Sequence, residues 1–219
     1  MGRALRDFYG STIGKKIVMA VTGLIMVGFV IGHVAGNLLV FRGREELNAY
    51  AAFLKGTGAL LWSVRALLLV SVVLHIVAAV QLTRRDLAAR PTGYARKEPQ
   101  VSTVASRTIR WGGVALFLFI VYHLLHFTTG TLHPSFSHAD VYHNMVTAFS
   151  TWWVAAIYVI AMLALGLHLY HGGWASVRTL GFSRPGHNPL RRRVAAALAI
   201  ALWLGFTIIP LAVLAGVVR

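Results

Sequence analysis

Six of the ten histidines in this chain lie inside long apolar runs, and they are the residues with the most chemistry to offer. His168 and His171 lie in the middle of LGLHLYHGGW, His33 lies late in a first run, His75 past the midpoint of a second, and His123 with His126 near the end of a third. An ionisable side chain inside a lipid-spanning segment is costly and therefore marks a pathway, a relay or a ligand set. Four helices that each turn an imidazole inward supply two bis-imidazole pairs, the donor set of two b-type haems. Iron held by two imidazoles has no open coordination position. Such a site favours electron transfer over oxygen chemistry, with its potential set by ligand hydrogen bonding, burial and charge near the propionates.

The elements that must position these histidines follow from composition. The 219 residues are 57% hydrophobic and only 12% charged, with a mean hydropathy of +0.68. About a quarter of an average soluble sequence is charged. The chain therefore reads as an all-α integral membrane bundle without a soluble domain. Five apolar runs are long enough to cross a bilayer, at about residues 17–41, 60–82, 110–129, 150–177 and 194–218. The fifth contains Pro210 and no histidine. The first run is too long for a cleavable signal and lacks a small-residue cleavage site. Cysteine is absent, which excludes disulfides, cysteine-ligated clusters and thiol chemistry on this chain.

The net charge of +15 would suggest nucleic acid in a soluble protein, but here Lys and Arg fall between apolar runs. The N-terminal segment and the second and fourth connections hold sixteen of the 21 Lys and Arg. The positive-inside rule then predicts a cytoplasmic N-terminus and an outside C-terminus, and no nucleic-acid partner. Pro91 and Pro99 argue against one continuous helix in the second connection. Residues 42–59 are polar enough to form a short interfacial helix.

Depth sorts the histidines. His33 lies 17 residues beyond Lys16 and His123 lies 16 beyond Arg107, about 25 Å from the basic end at 1.5 Å per residue. His75 is nine residues before Arg84 and His168 ten before Arg178, about 15 Å from that end. The predicted pairs are His33 with His123 and His75 with His168. His126 and His171 each follow a proposed ligand by three residues on nearly the same face. Depth alone does not exclude His126 as a ligand. Otherwise both stand just behind the ligands, bonded to a carbonyl, a propionate or a quinone. His133, His138 and His143 read as solvated loop residues. Lys16, Arg107, Arg110 and Arg178 at the inner end and Arg42 at the outer end are candidates for the propionates. Each is equally a topology charge. Small residues in the first span (Gly23, Gly28, Gly32, Gly36) let a neighbouring backbone or a flat cofactor come close.

Four stretches resemble the di-haem cytochrome b membrane anchor of bacterial succinate dehydrogenases and fumarate reductases, respiratory complex II. These are GHVAGNLLVFRGREELNAYAAF (Gly32 to Phe53), LHIVAAV (Leu74 to Val80), VYHLLHF (Val121 to Phe127) and LHLYHGGWASVRTLG (Leu167 to Gly181). Carried over position by position, the resemblance implies axial ligands at His33, His75, His123 and His168. It selects His168 over His171 by its distance to Leu180-Gly181. It also implies two haem b groups, a membrane quinone (often menaquinone in the di-haem class), and flavoprotein and iron–sulfur subunits docked on the cytoplasmic face of a bacterial inner membrane. Dicarboxylate chemistry would belong to those partners. Some fumarate reductases of this type carry a Glu two residues before the fourth ligand, where this chain has Gly166. Glu45, Asn48 and Tyr50 in the first outer connection are candidates for the quinone, or simply a solvated loop. The alternatives are an anchor of another respiratory enzyme (hydrogenase or formate dehydrogenase type), a histidine-using transporter, and a structural anchor without haem. All six acids lie outside the apolar runs, which disfavours the transporter.

Overall fold

A computed structural model describes residues 2–89, 103–182 and 188–219. Five helices are long and apolar enough to cross a membrane: α2 (Thr12–Asn37), α4 (Ala59–Ala88), α5 (Val104–His123), α7 (Trp152–Thr179) and α8 (Asn188–Leu214). Three shorter helices flank them: α1 (Gly2–Gly10), α3 (Arg44–Gly56) and α6 (Val141–Phe149). The interfacial helix expected in the first connection is α3. The expectation for Pro91 and Pro99 lies outside the described residues.

At the basic end the spanning helices run past the bounds expected from hydropathy, by six residues in α4, α5 and α8. Lys15 and Lys16 lie inside α2, Arg84 and Arg85 inside α4, Arg107 inside α5 and Arg191 to Arg193 inside α8. A helix ends where its backbone groups find caps, not where the lipid ends. Ser11 accepts from the Gly14 N–H at 2.8 Å, and Thr103 with Ser106 forms a reciprocal capping box. The last helix stops earlier than expected, at Leu214, because Gly216 takes a positive φ of 70° and turns the chain back.

Packing is open. Helix α2 lies against α4, α7 and α8, and α7 against α5 and α8. Among the described residues, the pairs α2–α5 and α4–α7 are not closely packed. Arg85 donates to the Gly10 carbonyl at 2.9 Å and Arg110 pairs with Asp86 at 3.2 Å, gathering the basic ends of α1, α4 and α5. Lys15 is buried there, with Nζ donating to the Tyr9 carbonyl. At the other end, Val40, Leu47, Tyr142, Met145, Phe149, Tyr158 and Ile209 form a core beneath α3 and α6. Many apolar side chains on the outer faces of α4 and α5 are exposed, Leu69 and Leu118 among them, as a lipid-facing surface requires.

Candidate functional site: two imidazole pairs

The structure brings the histidines together across the helices that do not pack closely. The rings of His33 (α2) and His123 (α5) have centroids 5.8 Å apart, and those of His75 (α4) and His168 (α7) 6.1 Å. Two imidazole nitrogens on opposite sides of one metal, each about 2 Å from it, put ring centroids about 6 Å apart. Both spacings fit that arrangement. Gly23 is the α2 residue beside His75, and a Cβ there would stand 3.2 Å from the His75 Cε1. It precedes His33 by ten residues, so the two pairs stand about 15 Å apart along the helix.

The ring nitrogens are held differently in the two pairs. Nδ1 of His75 lies 3.0 Å from the Met19 carbonyl and 3.3 Å from Thr22 Oγ1. It must carry the proton to reach the carbonyl, which leaves Nε2 as the lone-pair nitrogen. Nδ1 of His168 is buried and has no hydrogen-bond partner among the described residues. Nδ1 of His123 faces the Tyr158 hydroxyl at 3.4 Å. The His33 ring is stacked on Phe29, with centroids 5.2 Å apart, and its Nε2 lies 3.4 Å from the Asn37 amide nitrogen.

Immediately after His123 the third span changes pitch. Leu124–Thr128 forms a π turn, and the Thr129 N–H reaches back to the Leu124 carbonyl at 2.9 Å. Such turns inside a helix often occur at functional sites. This one buries His126 to 1% exposure, with Nδ1 3.0 Å from the Tyr158 hydroxyl. Tyr158 thus touches both His123 and His126. The His126 ring is stacked between Tyr122 (5.2 Å) and His133 (5.1 Å).

His133 corrects the expectation of a solvated loop histidine. It is buried, donates from Nε2 to the Asn144 carbonyl at 2.9 Å and accepts at Nδ1 from the Ser135 N–H at 3.2 Å. The Asn144 side chain clamps Ser137 through two further bonds, which is why the loop folds inward. His143, which lies in α6 and not in a loop, is half-buried against Ser135, and of His133, His138 and His143 only His138 is exposed. Among the described residues no cluster of three or more His, Asp or Glu is placed to hold a metal ion.

Of the candidate quinone residues of α3, Asn48 is engaged through both ends of its amide. Asn48 donates to Asp140 at 2.9 Å and accepts from the Tyr142 N–H at 3.1 Å. Tyr50 lies on Gly36, where a Cβ would stand 2.5 Å from the Tyr50 ring, and Glu45 is exposed in the first turn of α3. Asp140 also pairs with Arg44 at 2.9 Å and caps α6 through the His143 N–H. Burial raises its pKa, but Asn48, the His143 N–H, Arg44 and the His143 ring together hold it below the ordinary 3.8.

The basic candidates stand at helix ends. Lys16, Arg42 and Arg107 are exposed, and Arg110 is engaged by Asp86. Arg178 and Arg192 lie over the Trp174 ring at 4.9 and 4.5 Å. His171 is half-buried and makes no hydrogen bond among the described residues. Arg191, which was not among the candidates legible from sequence, has a buried Nη1 without a partner among the described residues.

Comparison with protein families adds the decisive observation. Residues 85–208, more than half the chain, match the model of the succinate dehydrogenase/fumarate reductase transmembrane subunit. The chain belongs to this family. The matched region covers α5 and α7 in full and most of α8. Comparisons with curated proteins and with solved structures returned no match. As a transmembrane subunit of that complex, the chain is embedded in a membrane beside other subunits. His123 and His168 lie inside the matched region, while His33 and His75 precede it.

Proposed function

We propose that this transmembrane subunit holds two b-type haems, one between His33 and His123 and one between His75 and His168, and carries electrons between an iron–sulfur partner and a membrane quinone. The observation that carries the reading is the double coincidence of spacing. Two pairs of rings, on helices that otherwise stand apart, have the separation that one shared metal ion requires, at two levels of the bundle.

His33, His123, His75 and His168 are the residues that would hold the haems, which would supply one-electron couples there. The chain's own residues set their surroundings. Met19 fixes the His75 tautomer so that Nε2 is free to ligate, and Tyr158 stands where it can accept from Nδ1 of His123. Gly23 lets the His75 ring lie against α2. Arg191, Arg178 and Arg192 gather cationic charge at the basic end, where anionic propionates would be offset. Lys16, Arg107 and Arg110 contribute to the same field.

The basic end faces the cytoplasm on this reading, following the positive-inside rule. The flavoprotein and iron–sulfur subunits dock there and carry out the dicarboxylate chemistry. The host is a bacterial inner membrane, and menaquinone is the favoured quinone by family resemblance. The test is the reduced-minus-oxidised spectrum of the purified complex together with a haem assay. A b-type signal with about two haems per chain is expected. Absence of haem from an intact complex would overturn the reading.

A further inference from the structure

Where α7 ends and α8 begins, the chain gathers positive charge without an acid on either helix to balance it. Arg178 stands in the last turn of α7, and Arg191, Arg192 and Arg193 in the opening turns of α8. The Arg178 and Arg192 guanidiniums both lie over the Trp174 ring, at 4.9 and 4.5 Å from its centroid. Arg191 holds a buried Nη1 that has no partner among the described residues. No Asp or Glu follows Asp140 in the sequence. The N–H groups that open α8 add partial positive charge of their own.

Elsewhere in the fold, arginines are answered from within it. Arg44 pairs with Asp140, Arg110 with Asp86, and Arg85 donates to the Gly10 carbonyl. At the far end of α4, Arg65 lies alone over Trp62 at 4.9 Å, an ordinary cation–π contact. Two guanidiniums on one indole are a different matter. They repel each other, and the unpartnered Arg191 donor in the same helix turns adds a desolvated charge. A shared oxyanion offsets both costs, because it accepts charge-assisted bonds from several guanidiniums at once.

The surroundings say which oxyanion. Trp174 is an amphipathic ring at the end of a spanning helix, the depth at which headgroups lie. Leu190 and Val194 bracket Arg191, Arg192 and Arg193 in sequence and are 62% and 59% exposed, so lipid reaches this end of α8. Ala197, Ala201, Leu204 and Ile208 are exposed as well and continue the same face at intervals of three or four residues. An acyl chain has a lane along α8, and the lane begins at the arginines. We propose that the α7–α8 end binds the phosphate of an anionic phospholipid, with Arg178, Arg191 and Arg192 as its donors and the chains along the exposed face of α8. Basic clusters at the ends of spanning helices select anionic headgroups in this way. The proposal needs a membrane-embedded chain and does not rest on the haem reading.

The test uses the intact complex in mild detergent, with phosphatidylglycerol and phosphatidylcholine of identical acyl chains as probes, each titrated by native mass spectrometry. Phosphatidylglycerol should bind about tenfold more tightly. Arg178→Gln combined with Arg192→Gln should abolish that preference and leave phosphatidylcholine binding as it was. Arg65→Gln, which removes the single pair at the far end, should leave the preference intact. A phosphatidylglycerol with a photoreactive headgroup, applied to the wild-type complex, should label the end of α7 and the start of α8, and this arm requires no variant to fold. Equal affinity for the two lipids, the outcome if a haem propionate or a carboxylate of a partner subunit fills the site, would overturn the proposal. So would a preference that survives the double substitution, a label spread evenly over the lipid-facing helices, or displacement of the lipid by an equal concentration of inorganic phosphate.

Discussion

The two levels of this bundle use the same donors in different company. At the basic level, His75 is anchored by a backbone carbonyl and His168 has a buried Nδ1 with no partner among the described residues. At the far level, His123 opens onto Tyr158, His126 and a folded loop that buries His133. At the first, the groove beside His168 is lined mostly by aliphatic side chains. The second stands near a cavity whose walls include Tyr122, His126 and His133. On the proposed reading both levels relay electrons, and they differ in what surrounds the rings.

Substitutions that break this comparison can be ranked. The largest effect belongs to Gly23→Val, since any side chain there presses on the His75 ring from 3.2 Å. It should cost the basic-level haem, taking the assay from about two haems per chain to one. The far-level signal should persist.

Next comes the α3–α6 junction. Asp140→Ala removes the acceptor for Arg44, Asn48 and the His143 N–H. It should cost about 1–3 kcal/mol of stability, read as a lower melting temperature in detergent, while both pairs keep their metal. The exposed Arg44 contact contributes little to that figure. The same group sets a pH dependence. Because the folded state holds the Asp140 pKa below the ordinary 3.8, its stabilising effect is complete above that value and is lost as pH falls through the folded pKa. The melting-temperature gap between wild type and Asp140→Asn should therefore shrink on acidification below about pH 4. A gap that widens would reverse the sign.

The smallest effect sharpens the comparison most. Tyr158→Phe keeps the packing and removes the hydroxyl between His123 and His126. Loss of the acceptor makes the imidazole a weaker donor to ferric iron. The far-level potential should rise by about 20–60 mV, which is one hydrogen bond of about 0.5–1.5 kcal/mol for a one-electron couple. The basic-level potential should not move.

Much of this is legible in the sequence. Five spans follow from hydropathy, and the nearness of His33 to His123 and of His75 to His168 follows from charges that mark the helix ends and a fixed rise per residue. What is hidden depends on packing. The π turn at Leu124–Thr128 has no compositional mark, and it is what buries His126. His133 looks like any loop histidine until Asn144 folds the loop over it. Tyr158 carries the one available hint, a lone hydroxyl in the apolar run WWVAAIYVIA. Hydropathy understates the helix lengths because the lysines and arginines at the basic end lie in polar terminal turns and do not mark the helix ends.

The central claim is the pairing, and double substitution tests it most directly. His33→Ala with His123→Ala should cost one haem, and so should His75→Ala with His168→Ala. His33→Ala with His75→Ala, taken across the levels, should cost both. If the two within-pair doubles each lose both haems while the cross-level double keeps one, the imidazoles are shared differently and the pairing is wrong.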